Sequence, residues 1–148
     1  MFLDQLSTAG AIPTLALTLR FAGERQRLIA HNVANLETPN FRPSDVSPRA
    51  FQSVLQDAVR ERRRATGGGH GDLRWRGTRE LIPTQGGAGV RLEPRTPTGN
   101  ILFHDRNNRD LERTMQSMVE NAGAYRVASE LLRSRMDLLG SAIRERVA

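Results

Sequence analysis

Three histidines, His31, His70 and His104, are the side chains of this sequence suited to metal ligation or to proton transfer near neutral pH. A metal site on a helix wants two such ligands at i, i+4, or one histidine spaced helically from a carboxylate, and none of the three has that setting. His31 falls beside the apolar seam of a predicted helix, and His70 sits inside GGGHG at 67–71. Neither that stretch nor TQGGAG at 84–89 is followed by Gly-Lys-Ser/Thr or framed by a strand and a helix, as a phosphate-cradling loop requires. There is no cysteine, hence no thiolate ligand or disulfide framework, and no serine lies in an elbow motif. The expectation is a protein without catalytic, cofactor or metal residues and without a small-molecule substrate.

Charge is the next candidate chemistry. The chain carries 22 basic residues against 16 acids, a net charge of +6, and every basic residue is arginine. Most arginines alternate with acids, as on a solvated helical surface, rather than forming the one-sided patch of a nucleic-acid binder. Arg60, Arg62, Arg63 and Arg64 form one tight cluster running into Gly67. It reads as a basic helix end favoured by the helix dipole. The alternative is a basic coiled-coil adaptor that uses this run, with Trp75, to hold nucleic acid or an acidic partner.

The elements that would carry any interaction are helical. Leu15, Leu19, Ala22, Gln26, Ile29, Val33 and Leu36 step by four and three, an a/d seam with one polar member. Pro13 suits the first turn, so a helix is predicted over about 13–35. A longer seam, Leu111, Met115, Met118, Ala122, Tyr125, Ser129, Leu132, Met136, Leu139 and Ile143, keeps the same alternation. Asn107 and Asn108 supply an N-cap, and the spacing predicts one helix of about 36 residues, roughly 54 Å long. Stripes this narrow call for a partner helix. The fold class expected is therefore mostly α, with long N- and C-terminal helices paired as a coiled-coil hairpin. Leu28, Leu131 and Leu138 flank the seams and are left for other surfaces.

Most of the glycines lie between the two seams. Ser47-Pro48 opens a short amphipathic helix with Phe51, Leu55 and Val59 on one face, and a small β-hairpin is expected across 89–104, with 84–89 a loop or disordered. The chain thus divides into a flexible leader (1–12), a helix and turn (13–46), an irregular, partly disordered middle (47–106) and a long C-terminal helix (107–148). The N-terminus lacks the basic region of a secretory signal, and no apolar run approaches the ~20 residues that span a bilayer. The reading is a soluble chain that leaves the cytoplasm, if it does, by another route.

The first seam ends in HNVANLETPNF, where Thr38 is pushed out of the α region by Pro39. The string from Arg25 to Asp45, RQRLIAHNVANLETPNFRPSD, resembles the N-terminal signature of the bacterial flagellar rod, hook and filament-cap-junction family. Asn32, Val33, Ala34, Asn35, Leu36, Glu37, Thr38, Pro39, Asn40 and Phe41 stand at the matching positions. Near the other end, Asn107, Asn108, Asp110, Leu111, Glu112, Asn121, Tyr125, Leu139, Ala142, Ile143 and Arg144 resemble the pattern of that family's proximal rod members. Asn40 stands where the family usually has Gly, Phe41 where it has Tyr, and Arg109 where it has an apolar residue.

The resemblance implies a structural subunit of the flagellar basal-body rod. It would be exported by the flagellar type III apparatus and assembled in the periplasm through helix packing at the proximal rod. Implied partners are other rod proteins, further copies of itself and the rod adaptor at the export gate. Interface residues carried over are Asn32, Val33, Ala34, Asn35, Thr38, Pro39, Asn40 and Phe41 in the turn, and Leu111, Met115, Met118, Tyr125, Leu132, Leu139 and Ile143 on the long helix.

Overall fold

A computed structural model describes residues 9–67, 70–96 and 111–147, with side chains to residue 144. Its elements in chain order are α1 (Ile12–Ala34), α2 (Pro48–Thr66), β1 (Leu81–Thr84), β2 (Gly89–Leu92) and α3 (Leu111–Val147). The expected leader up to residue 8, the asparagine N-cap of the long helix and the segment 97–110 lie outside the described residues.

Helix α1 is the shared wall of the molecule. Leu17 and Phe21 face a core completed by Val46, Phe51, Ala58, Leu73, Trp75, Leu81 and Val90. Phe21 stacks on Phe51 of α2 with centroids 4.0 Å apart and planes 2° from parallel. A neighbouring face of α1, containing Ala22 and Gln26, takes α3 lengthwise, so the two long helices pair as the seams demand. The Tyr125 ring lies over Gly23, where a Cβ would stand at an ordinary contact distance of 3.9 Å from Cε2.

Helix α2 begins and ends on local signals. The Ser47 hydroxyl accepts from the Ala50 N–H at 3.2 Å, Pro48 occupies the first turn, and Gly67 closes the helix in the left-handed region at φ 71°. Phe51 and Ala58 carry its buried face, with Leu55 and Val59 half-buried beside them.

Strand β2 pairs antiparallel with β1, Leu81 opposite Leu92 and Thr84 opposite Gly89, so a hairpin spans 81–92; of the hairpin expected across 89–104, residues 97–104 lie outside the described residues. The stretch 84–89, expected as loop or disorder, is the ordered connection. Gln85, Gly86 and Gly87 all adopt positive φ, which with Ala88 lets four residues reverse the chain. A Cβ on Gly89 would fall 2.3 Å from Oγ1 of Thr84, its cross-strand partner, so only glycine fits. Buried Leu73 and Trp75 alternate with exposed Arg74 and Arg76, and the Trp75 indole donates to the Gly87 carbonyl at 2.8 Å.

The register of α3 is also corrected by one position in two places. The seam read from the sequence includes Ala122 and Ser129, whereas the buried residues are Asn121 and Ala128. Asn121 donates to the Ala22 carbonyl at 2.9 Å and to Oε1 of Gln26 at 2.8 Å. A polar pair inside the seam thereby selects the helix face, a register device that apolar alternation does not display.

Candidate assembly surface

The turn after α1 is built by hydrogen bonds on both of its flanks. Asn32, itself buried, donates from Nδ2 to the Ser44 carbonyl at 2.7 Å and accepts from the Ser44 N–H at 3.2 Å. One residue on, Asp45 takes the Arg25 guanidinium in a two-point pair, Nε to Oδ1 at 3.0 Å and Nη2 to Oδ2 at 2.6 Å. Asp45 Oδ1 also accepts from the Val46 N–H, and its backbone exchanges two 3.0 Å bonds with Arg95. Residues 44–46 are thus tied to α1 on one side and to the stretch following β2 on the other.

Between these ties the chain turns twice. The Asn35 side chain donates to the His31 carbonyl at 2.9 Å, closing the last turn of α1, and accepts from the Thr38 hydroxyl at 3.4 Å. Thr38, Pro39, Asn40 and Phe41 form a tight turn closed by the Phe41 N–H on the Thr38 carbonyl, with Pro39 second and Asn40 third at φ 61°. That is the type II pattern, whose third position favours Gly and tolerates Asn. The Phe41 ring leans on His31 at a centroid distance of 5.6 Å. Thr38, Pro39 and Asn40 are exposed, while Val33, Asn35 and Phe41 are half-buried.

Helix α3 offers the second surface. Its contact line with α1 runs through Met118, Asn121, Ala128 and Leu132, and only Asn121 and Ala128 are fully buried. On one flank Leu111, Met115, Tyr125, Met136 and Ile143 stand exposed. On the other, Val127, Leu131 and Leu138 are 56%, 50% and 60% exposed and fall within about 40° of one another at ~100° per residue. The arc of apolar residues is therefore wider than one partner helix covers. With 37 residues against 23, α3 also outruns α1 by about 21 Å at ~1.5 Å per residue.

Of the positions carried over from the resemblance, the structure sets Asn32, Val33, Ala34, Asn35, Thr38, Pro39, Asn40 and Phe41 in one turn at the end of α1. It spreads the others along α3, where Leu139 is half-buried and Leu111, Met115, Tyr125 and Ile143 are exposed. Sequence reasoning missed the Arg25–Asp45 pair. The two residues lie twenty apart, and no local pattern links them.

Within the Arg60 to Arg64 run, Arg63 and Arg64 are exposed and one member is withdrawn from the surface. Arg62 is buried and donates to the Gly10 carbonyl, and Arg60 lies 3.5 Å from Asp57. Among the described residues no group of three or more His, Asp or Glu side chains could hold a metal, and no helix is long and apolar enough to cross a membrane.

No family model matches the chain. Two curated relatives do. Over 103 residues it is 31% identical to the flagellar basal body rod protein FlgB of Borrelia hermsii, an overlap of 68% of this chain and 71% of that protein. Over 136 residues it is 30% identical to the flagellar basal body rod protein FlgB of Salmonella typhimurium, spanning 90% of this chain and 91% of that one.

Proposed function

The chain belongs to the flagellar basal body rod protein FlgB family, and from that premise we propose that it is a structural subunit of the proximal rod, joined to its neighbours by helix packing. Other rod proteins, further copies of this chain and the rod adaptor at the export gate are the partners this reading assigns. The flagellar type III apparatus would carry the chain out to the periplasm.

The observation that carries the reading is the wide apolar arc on α3, covered by α1 along its middle only. A helix that is apolar well beyond its single intrachain contact is suited to a bundle with two more neighbours. Completing the burial of Leu131 and Leu138, each about half exposed, contributes about 1 kcal/mol per side chain, half of the full value for a leucine. Repeated around a ring of subunits, such increments make a rigid rod from weak pairwise contacts. The exposed turn of Thr38, Pro39 and Asn40 adds a shaped polar contact at the end of α1.

The test is complementation in a flagellated strain lacking its own copy of the gene. Leu131→Glu with Leu138→Glu should leave the helical content and melting of the purified chain unchanged and abolish swimming. Deletion of residues 38 to 41 should also abolish swimming. Full motility with the double glutamate variant would remove the helix-packing reading. The arginine cluster gives nucleic-acid binding a reduced surface, since Arg62 is buried against backbone and Arg60 is set beside Asp57.

A further inference from the structure

Residues 73–77 run alongside β1 without joining it. Leu73 and Trp75 are buried while Arg74 and Arg76 are exposed, the two-residue period of an extended strand. Their position is held by side chains: both apolar residues enter the core, and the Trp75 indole is bonded to the hairpin turn. One edge lies against the hairpin. A Cβ on Gly77 would come 2.8 Å from Cδ of Pro83 and 3.0 Å from the Leu81 carbonyl, and one on Gly87 would come 3.1 Å from the Leu73 carbonyl. Pro83 has no N–H to give, which accounts for the failure of this segment to pair with β1. Among the described residues, 73–77 make no backbone hydrogen bond at all.

We propose that the edge of residues 73–77 facing away from β1 is a docking site for an extended acidic segment of a partner protein, added as a further strand. An extended segment held rigid by buried side chains, with its backbone groups unused, is the template for strand addition. Arg74 and Arg76 decide the occupant. In a pairing of two copies of this chain, arginines would oppose arginines, and like charges across a strand pair are destabilising. Glutamates or aspartates at alternate positions of the incoming strand would instead meet both guanidinium groups. The proposal rests on the fold alone and stands or falls separately from the rod assignment.

The chain's one tryptophan lies in the site, so its emission reports on it directly. The probe is the end-blocked peptide Glu-Val-Glu-Val-Glu-Val-Glu-Val, with two twins: lysine for every glutamate, and every backbone nitrogen methylated. Titrated into the full chain, the acidic peptide should change Trp75 emission saturably and slow amide exchange at Arg74 and Arg76. Each twin should bind at least about tenfold more weakly, the effect of losing ~1.4 kcal/mol of hydrogen bonds or charge pairs. The double variant Arg74→Glu with Arg76→Glu, its fold checked by circular dichroism, should prefer the lysine twin. Equal responses to all three peptides, or none, would overturn the proposal. So would amides at Arg74 and Arg76 that are already protected in the free chain, since its own residues would then occupy the edge.

Discussion

Removing either partner of the Arg25–Asp45 pair breaks the same two hydrogen bonds, yet the costs should differ. The Arg25 side chain is 5% exposed and that of Asp45 31%. In Asp45→Ala the guanidinium stays buried with its charge uncompensated, a situation that costs about 3 kcal/mol. The Val46 N–H loses its acceptor as well, a further ~1 kcal/mol. In Arg25→Met the remaining carboxylate is one-third exposed and can turn to water, while the methionine fills the vacated volume with apolar atoms. Replacement of a buried ion by a hydrophobic side chain of similar size is often close to neutral, so about 1 kcal/mol is expected. Asp45→Asn, whose single Oδ1 can still accept from both Arg25 Nε and the Val46 N–H but whose amide NH2 offers Nη2 no acceptor, should fall between them. Urea unfolding followed at 222 nm measures all three. An Arg25→Met loss as large as that of Asp45→Ala would refute the reasoning, because burial of the charge would then not be what sets the cost.

Asn121→Ala should destabilise the chain by about 1–3 kcal/mol by leaving the Gln26 amide oxygen without its donor in the seam, and a double-mutant cycle with Gln26→Ala should show coupling between the two. Gly89→Ala should lower the melting temperature, and adding Thr84→Ala should recover most of the loss, since the clash at 2.3 Å is with a side-chain oxygen. Trp75→Phe keeps the apolar ring but leaves the Gly87 carbonyl without its donor, for an expected cost of about 1–3 kcal/mol in the same urea assay.

Much of the helical frame was legible from the amino-acid order because its causes are local. A seam stepping by four and three places a stripe on a helix whatever surrounds it; Asn35 caps α1 ahead of Pro39, Ser47 and Pro48 start α2, and Gly67 ends it by adopting a conformation costly for other residues. The turn of Thr38 to Phe41 was equally readable, since Pro followed by a residue tolerant of positive φ dictates its shape. Tertiary structure decided what these elements do with one another. Local alternation placed Ala122 and Ser129 in the seam, but Asn121 and Ala128 occupy it because a carbonyl and an amide on α1, ninety-five or more residues away, bind the asparagine. It placed Val90 and Leu92 in a strand but not beside β1, because a four-residue strand pairs with whichever neighbour the glycine turn brings round. Nothing local distinguishes Arg25 from the other arginines that alternate with acids along the chain. Arg25 is buried because the fold returns Asp45 to its side, and a charge can leave water only where its counter-charge is already waiting.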